Sequence, residues 1–271
     1  FAYGLPSAEI AKTIANGFGG ILGYIGLVIV LGTIIGVILE KSGAAITMAD
    51  YVIKVLGERF PTLTMTIIGY IVSIPVFCDS GFVILNSLKE SLANRLQTSS
   101  VAMSVALATG LYATHTFIPP TPGPIAAAGN LGLESNLGLV IAVGIVVAAV
   151  AALAGTLWAN RFKDVEPDAV FDETQETQQS WKELKASYGV LPTAAQAFAP
   201  IFIPILLICG SSIAKFPSQP LGNGIIFDAL VFLGAPITAL LIGLAFALRL
   251  LKSDNKSIEL GEHVSKGITV A

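Results

Sequence analysis

The sequence predicts an all-α integral membrane protein with several spans. Of its 271 residues, 54% are hydrophobic and only 12% are charged, whereas soluble domains carry about 25% charged residues. The mean hydropathy is +0.79. Long stretches contain no Lys, Arg, Asp or Glu, and about 20 apolar residues suffice to cross the hydrocarbon core of a bilayer. These charge-free stretches are Thr13–Leu39, Pro61–Cys78, Leu137–Asn160 and Ala186–Ser212.

Composition also excludes other classes of protein. A net charge of -3 without a basic cluster argues against a nucleic-acid partner. Cys78 and Cys209 both lie in apolar segments, which argues against a disulfide framework. The sequence contains no nucleotide-binding glycine loop and no metal-ligand spacing, so we expect no cofactor and no metal, and an ATP-driven pump is disfavoured.

The first predicted span covers Phe18–Leu39, and Lys41-Ser42-Gly43 ends it with a cation and a C-terminal glycine. Residues 61–88 are predicted to form a re-entrant hairpin. The first apolar limb stops at Cys78-Asp79-Ser80-Gly81, and the second limb, Phe82–Leu88, is too short to span. Asp79 is expected near the tip of this hairpin, and non-helical backbone at membrane depth is tolerated only inside protein or beside a water-filled cavity.

Residues 99–129 are predicted to form a broken helix. Prolines at 119, 120, 122 and 124 remove four backbone donors, so no helix can continue through them. Later spans are expected at Leu137–Ala159, Ala197–Ile213 and Ile225–Leu250, the last with a kink at Gly234-Ala235-Pro236.

These elements predict three regions: a first transmembrane repeat at 1–160, a polar cytoplasmic linker at 161–196, and helices that begin a second half at 197–271. The chain is therefore expected to be an excerpt of a longer protein. If the hairpin is re-entrant, all 15 Lys and Arg residues except Lys12 and Lys215 fall on one side, which the positive-inside rule assigns to the cytoplasm.

Two ionisable side chains stand out within the apolar segments. Asp79 is a functional candidate because a carboxylate at membrane depth costs at least about 2.5 kcal/mol unless a partner or water faces it. The alternative is a solvent-exposed turn in which Asp79 caps a helix that begins at Gly81. His115 can exchange a proton near neutral pH, although a lone membrane histidine is often only a structural hydrogen-bonding group. The spacing of Thr109, Tyr112 and Thr116 places three hydroxyls on one face of the same helix.

The broken helix supplies backbone groups for a ligand. Carbonyls freed by the prolines, and amides near Ile125 and Ala126 that open the next half-helix, provide a site for a carboxylate of the kind found in secondary transporters.

Two segments carry a family resemblance. Phe77-Cys78-Asp79-Ser80-Gly81-Phe82-Val83-Ile84-Leu85, followed by Thr114-His115-Thr116-Phe117-Ile118-Pro119-Pro120-Thr121-Pro122-Gly123-Pro124, closely resembles the paired signatures of the gluconate permease (GntP) family of bacterial sugar-acid:proton symporters. The resemblance runs over the whole chain. Asp79-Ser80 replaces a glutamate and an aliphatic residue found in many members, and Thr121 replaces a frequent histidine. The resemblance therefore supports the family more strongly than it supports gluconate as the substrate.

The resemblance implies a multi-pass protein of the bacterial inner membrane, of the ion-transporter superfamily type, with two inverted repeats, and it is compatible with assembly as a homodimer. It also implies proton-coupled uptake of gluconate or a related small hydroxy-carboxylate, with D-glycerate and D-serine as alternative substrates. Na⁺ stays open as the coupling ion, because broken helices also provide oxygen ligands. The predicted substrate and proton pathway comprises Asp79, Ser80, Gly81, Thr114, His115, Thr116, Pro119, Pro120, Thr121, Pro122, Gly123 and Pro124.

Two rival functions remain at this point. A passive channel would use the same pathway without coupling. An intramembrane hydrolase would use Ser80 or Cys78 as nucleophile with His115 as base, but the sequence positions no third orienting group. We therefore expect a transporter and not an enzyme.

Overall fold

The computed structural model describes residues 6–57, 59–74, 76–133, 136–165, 181–215, 222 and 224–251. Every regular element in these residues is helical, which confirms the all-α fold class. A short 3₁₀ turn at Asn160–Phe162 extends the seventh helix. The helices are α1 Ser7–Lys41, α2 Ala44–Leu56, α3 Pro61–Val72, α4 Cys78–Leu96, α5 Ser100–Phe117, α6 Pro122–Asn130, α7 Leu137–Ala159, α8 Trp181–Ser187, α9 Ala194–Ala214, α10 Ile225–Leu233 and α11 Pro236–Leu248.

By length and composition, three helical segments of the described chain can cross a membrane, or up to five if each of two bent pairs is one span. The three are Ser100–Asn130, Leu137–Phe162 and Ala194–Ala214. One bent pair joins the second part of α1 to α2 at 71°, and the other joins α10 to α11 at 68°. Pro236 is the first residue of α11, so the kink expected at Gly234-Ala235-Pro236 is confirmed.

The predicted end of the first span is also confirmed. α1 stops at Lys41, and Gly43 precedes α2 with a φ of 72°, in the left-handed region that glycine tolerates best. A Cβ at Gly43 would approach the Leu191 side chain to 2.6 Å. The turn between α1 and α2 therefore depends on glycine both for its backbone conformation and for space.

The chain enters the bundle along α3, returns along α4 and enters again along α5. α4 runs antiparallel to α5, since Lys89 contacts Ser104 near one end of the pair and Asp79 contacts Tyr112 near the other. The structure thus contains a helical hairpin where one was predicted, and its re-entrant placement in a membrane stays a prediction. Its limbs differ from the prediction: the first ends at Val72 rather than near Phe77, and the second spans Cys78–Leu96.

The longer second limb has a physical explanation. Charges were expected to end this limb at Leu88, but the ammonium of Lys89 donates to Ser104 Oγ at 2.9 Å and pairs with Glu90 at 2.6 Å. The Ser100 hydroxyl in turn donates to the Glu90 carboxylate at 2.8 Å. Although Lys89 is only 5% exposed, these partners satisfy its charge, so α4 continues through it.

α7 runs antiparallel to both α3 and α5, and the positions of other residues along the bundle can be compared with positions along α7. Gly155 of α7 lies against Thr109, whereas Gly144 lies against the Phe117 carbonyl. Tyr112, which lies between those two α5 residues, is therefore level with the middle of the 23-residue α7. Because Asp79 contacts Tyr112, the tip of the hairpin reaches the same depth.

Part of the predicted linker is ordered against the bundle. Lys185 of α8 forms an ion pair with Asp50 of α2, and the Thr47 hydroxyl donates to the Pro192 carbonyl at 3.1 Å. A capping box of Thr193 and Gln196 begins α9 at Ala194, three residues before the predicted start. Residues 166–180 of the linker, which hold Glu166, Asp168, Asp172, Glu173 and Glu176, lie outside the described residues.

Two described cations, Arg161 and Arg249, share one end of the bundle. α7 and α11 both run antiparallel to α9, since Gly138 contacts Ser212 and Gly243 contacts the Pro200 carbonyl. Arg161 and Arg249 therefore follow helix ends on the side where α9 begins, and Lys215 follows the opposite end of α9. This arrangement agrees with the charge asymmetry in the sequence, while the cytoplasmic identity of that end stays a prediction.

Candidate functional site

Asp79 and Ser80 lie in the first turn of α4 and not before it. The first helical hydrogen bond of α4 runs from the Gly81 amide to the Phe77 carbonyl at 2.8 Å. The residue that precedes the helix is Phe77, which provides no side-chain cap. The alternative in which Asp79 caps a helix starting at Gly81 is therefore wrong about the cap, although Asp79 is exposed as that alternative held. The carboxylate instead lies at the positive end of the helix dipole, where negative charge is stabilised.

The Asp79 carboxylate is exposed and accepts a hydrogen bond from another helix. The Tyr112 hydroxyl donates to Asp79 Oδ1 at 3.2 Å, and the Cys78 thiol lies 3.6 Å from the same oxygen. Tyr112 is absent from the predicted pathway. Its position on the same helical face as Thr109 and Thr116 was the feature of the sequence that could have indicated it. The hydrogen bond joins the hairpin tip to α5.

His115 lies one helical turn beyond Tyr112, at the same junction. Its ring lies beside that of Phe77, the residue that precedes α4, with centroids 5.5 Å apart. The Nδ1 atom of His115 is buried and has no hydrogen-bond partner among the described residues. A buried polar atom without a partner is costly, and at a functional site it indicates a position for a ligand atom or water.

The break predicted within residues 99–129 is present. α5 ends at Phe117, the Pro119–Pro120 peptide bond is cis, and α6 begins at Pro122. The Thr121 hydroxyl lies 2.8 Å from the His115 carbonyl and 2.7 Å from the Ile118 carbonyl. Thr121 therefore satisfies carbonyls that the break leaves without helical partners.

The start of α6 differs from the prediction that amides near Ile125 and Ala126 open this helix. The Ile125 amide already donates to the Thr121 carbonyl, at 3.5 Å. Among the first three residues of α6, Pro122 and Pro124 have no N–H. Gly123 is therefore the residue that can present an amide from this end of α6.

The other predicted pathway residues divide by burial. Thr114 is buried, and its hydroxyl donates to the Tyr70 carbonyl of α3 at 2.7 Å. Gly81 is also buried and packs against Leu111, where a Cβ would approach within 2.9 Å. Ser80 is half-buried and Thr116 is exposed. The structure thus brings Asp79, Ser80, His115 and Thr116 near one junction, but their roles stay predictions.

Two pockets flank the proline break, and both are mainly apolar. One of about 20 Å³ lies among α1, α9 and Pro119-Pro120, and the other of about 10 Å³ lies among α1, the hairpin turn and Thr121. The hydroxyls on the second pocket, those of Thr33 and Thr121, donate to backbone carbonyls. Asp79, Tyr112 and His115 line neither pocket, so the polar surface of this site is the exposed side of the hairpin tip.

Comparison with known proteins agrees with these features. The chain is 33% identical over 279 residues to an uncharacterised permease of Haemophilus influenzae, covering 99% of this chain and 56% of that protein. It is 33% identical over 249 residues to a gluconate permease of Pseudomonas aeruginosa, covering 90% of this chain and 53% of that protein. The inner membrane permease YgbN of Escherichia coli is 30% identical over 92% of this chain and 55% of its own length.

The chain thus spans about half the length of these curated relatives. No solved structure shows a significant match to it. The family model described as GntP family permease matches residues 1–271, which is the whole chain. Together with the apolar helices, the hairpin and the proline-broken helix, this match shows that the chain belongs to the GntP family of permeases.

Proposed function

We propose that this chain forms the ligand-binding part of a secondary active transporter. The transporter takes up gluconate or a related small hydroxy-carboxylate, together with a proton, across the bacterial inner membrane. The observation that carries the proposal is the meeting of the hairpin tip with the broken helix at the depth of the middle of α7. Similar proteins that bear the name gluconate permease support this substrate class.

The charge of Asp79 provides a mechanism for coupling. A substrate carboxylate beside an ionised Asp79 is repelled, by about 4 kcal/mol for two unit charges 4 Å apart near a protein surface. Protonation of Asp79 removes this repulsion, so binding a proton favours binding of the anion, and the reverse follows by linkage. Asp79 is the proton carrier in this scheme, and the half-buried imidazole of His115 at the same junction is a further polar group for the substrate.

Hydroxyl groups of the substrate need polar partners at the same junction. Ser80 and Thr116 are accessible there, whereas the hydroxyls of Thr114 and Thr121 already donate to backbone carbonyls. We therefore assign Ser80 and Thr116 to substrate hydroxyls, with the Gly123 amide as a donor to the carboxylate. Thr114 and Thr121 hold the α3–α5 contact and the helix break.

The rival functions have less support from this geometry. In a hydrolase, His115 would accept a proton from Ser80 or Cys78. Among the described residues His115 Nδ1 has no partner, and the Cys78 thiol lies against Asp79.

A passive channel would share the pathway but would only equilibrate its solute. D-Glycerate, D-serine and Na⁺ coupling are variants of the same transport mechanism, and transport measurements distinguish them.

Uptake into proteoliposomes tests the proposed function. The full-length protein is reconstituted, and labelled gluconate, D-glycerate and D-serine are offered with an inward proton gradient, with a sodium gradient, and with each gradient collapsed. We expect gluconate or D-glycerate to accumulate above the external concentration only while the proton gradient lasts. Accumulation driven by sodium alone would overturn proton coupling, and equilibration without accumulation would indicate a channel.

Replacing Tyr112 by Phe tests whether the hydrogen bond to Asp79 orients the carboxylate. A hydrogen bond to a charged group contributes about 1.5–3 kcal/mol, and this one is long and exposed, so we expect a smaller loss of about 1 kcal/mol. The apparent KM for the substrate should therefore rise about fivefold, while the protein stays folded. Tyr51→Phe serves as a control, because Tyr51 packs on Phe198 in α9, away from the hairpin tip. An unchanged KM in Tyr112→Phe would contradict the orienting role.

A further inference from the structure

We propose that an anionic phospholipid binds in an open groove between the start of α3 and the end of α7. The groove has a volume of about 710 Å³ and lies away from the hairpin tip. Its lining combines apolar and polar side chains. They are Arg59, Phe60, Pro61, Thr62, Leu63, Gln97, Thr98, Leu153, Thr156, Leu157, Asn160, Lys163 and Asp164. We call this surface the α3–α7 groove.

The two kinds of side chain are separated along α7. Leu153 and Leu157 lie in the most apolar span of the described chain and are 55% and 72% exposed. Asn160 and Lys163 follow on the same helical face, each three residues after the one before. From Leu153 to Lys163 the axial rise is roughly 15 Å, about the thickness of one leaflet of the hydrocarbon core. The groove therefore has two parts along α7. Its apolar wall suits an acyl chain, and its polar end suits a headgroup.

Charge at the polar end favours an anion. Arg59 and Lys163 provide two cations, and Asp164 provides one carboxylate, so these lining residues leave one net positive charge. Within the described part of the chain, the ion pairs are Lys89–Glu90 and Lys185–Asp50, and neither involves Arg59 or Lys163. One phosphodiester of a phospholipid matches this net charge, and basic pockets between helices at a membrane surface favour anionic lipid headgroups.

Polar contacts fix the walls of the α3–α7 groove. The Thr62 hydroxyl donates to Asn160 Oδ1 at 2.8 Å, and the Thr156 hydroxyl lies 2.9 Å from that of Thr66. Because Asn160 accepts through its oxygen, its amide N–H₂ group is the part that can donate to a phosphate. The α3–α7 contact is thus preformed, which lowers the entropic cost of lipid binding.

Native mass spectrometry of the purified full-length protein tests this site. Dioleoyl phosphatidylglycerol and dioleoyl phosphatidylcholine are titrated separately into the wild-type protein and the double variant Arg59→Gln/Lys163→Gln. Each basic residue near an anionic surface contributes about 1 kcal/mol, so the double variant should bind phosphatidylglycerol roughly thirtyfold more weakly. The wild-type protein should bind phosphatidylcholine more weakly than phosphatidylglycerol. The double variant should bind the two lipids with nearly equal affinity.

Two further variants make the result specific. Arg249→Gln removes a cation at the same end of the bundle, where Arg249 lies over the Phe246 ring, and should leave phosphatidylglycerol binding unchanged. Leu153→Asn/Leu157→Asn keeps the cations but weakens the apolar wall, and should reduce binding of both lipids. Equal phosphatidylglycerol binding by the wild type and Arg59→Gln/Lys163→Gln would overturn the proposal. Displacement of the lipid by millimolar glycerol phosphate would show a site for soluble phosphates, and would overturn the assignment to a lipid.

Discussion

Replacing Asp79 by Asn should abolish accumulation of substrate driven by a proton gradient. Asn has nearly the same shape as Asp and can still accept a hydrogen bond from Tyr112, but it cannot bind and release a proton. We expect the rate of gradient-driven uptake to fall roughly a hundredfold or more, the size of effect typical of a lost proton-transfer group. The measurement is uptake of labelled gluconate, or of whichever substrate accumulates, by proteoliposomes at several values of external pH.

Exchange transport separates loss of coupling from loss of binding. Because the amide introduced by Asp79→Asn resembles a permanently protonated carboxyl group, counterflow of labelled against unlabelled substrate should persist in this variant while its pH dependence disappears. Asp228→Asn is the matched control, since Asp228 also lies in the first turn of a helix within an apolar segment but belongs to α10. Wild-type accumulation by Asp79→Asn would contradict the proposed role of this carboxylate as proton carrier.

Gly110→Ala should strongly destabilise the packing of α3 against α5. A Cβ at Gly110 would lie 2.1 Å from the Thr66 carbonyl oxygen and 3.0 Å from the Tyr70 amide nitrogen. These are backbone atoms that cannot rotate away, so the two helices must separate. Overpacking in a close-packed interior typically costs about 1–3 kcal/mol, and we expect this substitution to reach at least about 3 kcal/mol. Thermal unfolding of the detergent-solubilised protein, followed by intrinsic fluorescence, measures the change.

A second glycine provides a control with the opposite expected sign. A Cβ at Gly210 in α9 would lie 3.7 Å from the Leu230 side chain, which is ordinary contact. Alanine favours helix over glycine by about 1 kcal/mol, so Gly210→Ala should leave the unfolding temperature unchanged or raise it. If Gly110→Ala were as stable as Gly210→Ala, the close backbone contact between α3 and α5 would not exist in the protein.

Local chemistry made the helix boundaries at three breaks predictable. Lys41-Ser42-Gly43 ends α1, the four prolines at 119, 120, 122 and 124 end α5 and begin α6, and Gly234-Ala235-Pro236 separates α10 from α11. Each break depends on a property of the residues themselves: the left-handed φ of glycine, or the missing N–H and fixed φ of proline. Asp79 and His115 were predictable as candidates for the same kind of reason, because ionisable side chains are rare in apolar segments.

Other boundaries were predicted less well because side chains from distant elements determine them. α4 continues through Lys89 because α5 provides Ser104 as a partner for its ammonium, and no pattern within α4 indicates that contact. The early start of α9 was readable in principle from Thr193 and Gln196, which form a capping box. The contact of residues 181–193 with α2 could not be predicted from the sequence, because Asp50 and Lys185 are far apart in the chain.

The sequence by itself determined the helical class, the membrane setting, the broken helix and the candidate ionisable residues, because hydropathy and backbone restrictions act locally. Only the tertiary structure decided which polar groups meet. It directs the Thr114 hydroxyl to the Tyr70 carbonyl, joins Tyr112 to Asp79, and leaves His115 Nδ1 without a partner among the described residues. These outcomes depend on the relative depth of α3, α4 and α5. The close approach of Gly110 to the α3 backbone sets it for α3 and α5, and the contact of Gly81 with Leu111 helps to set it for α4 and α5.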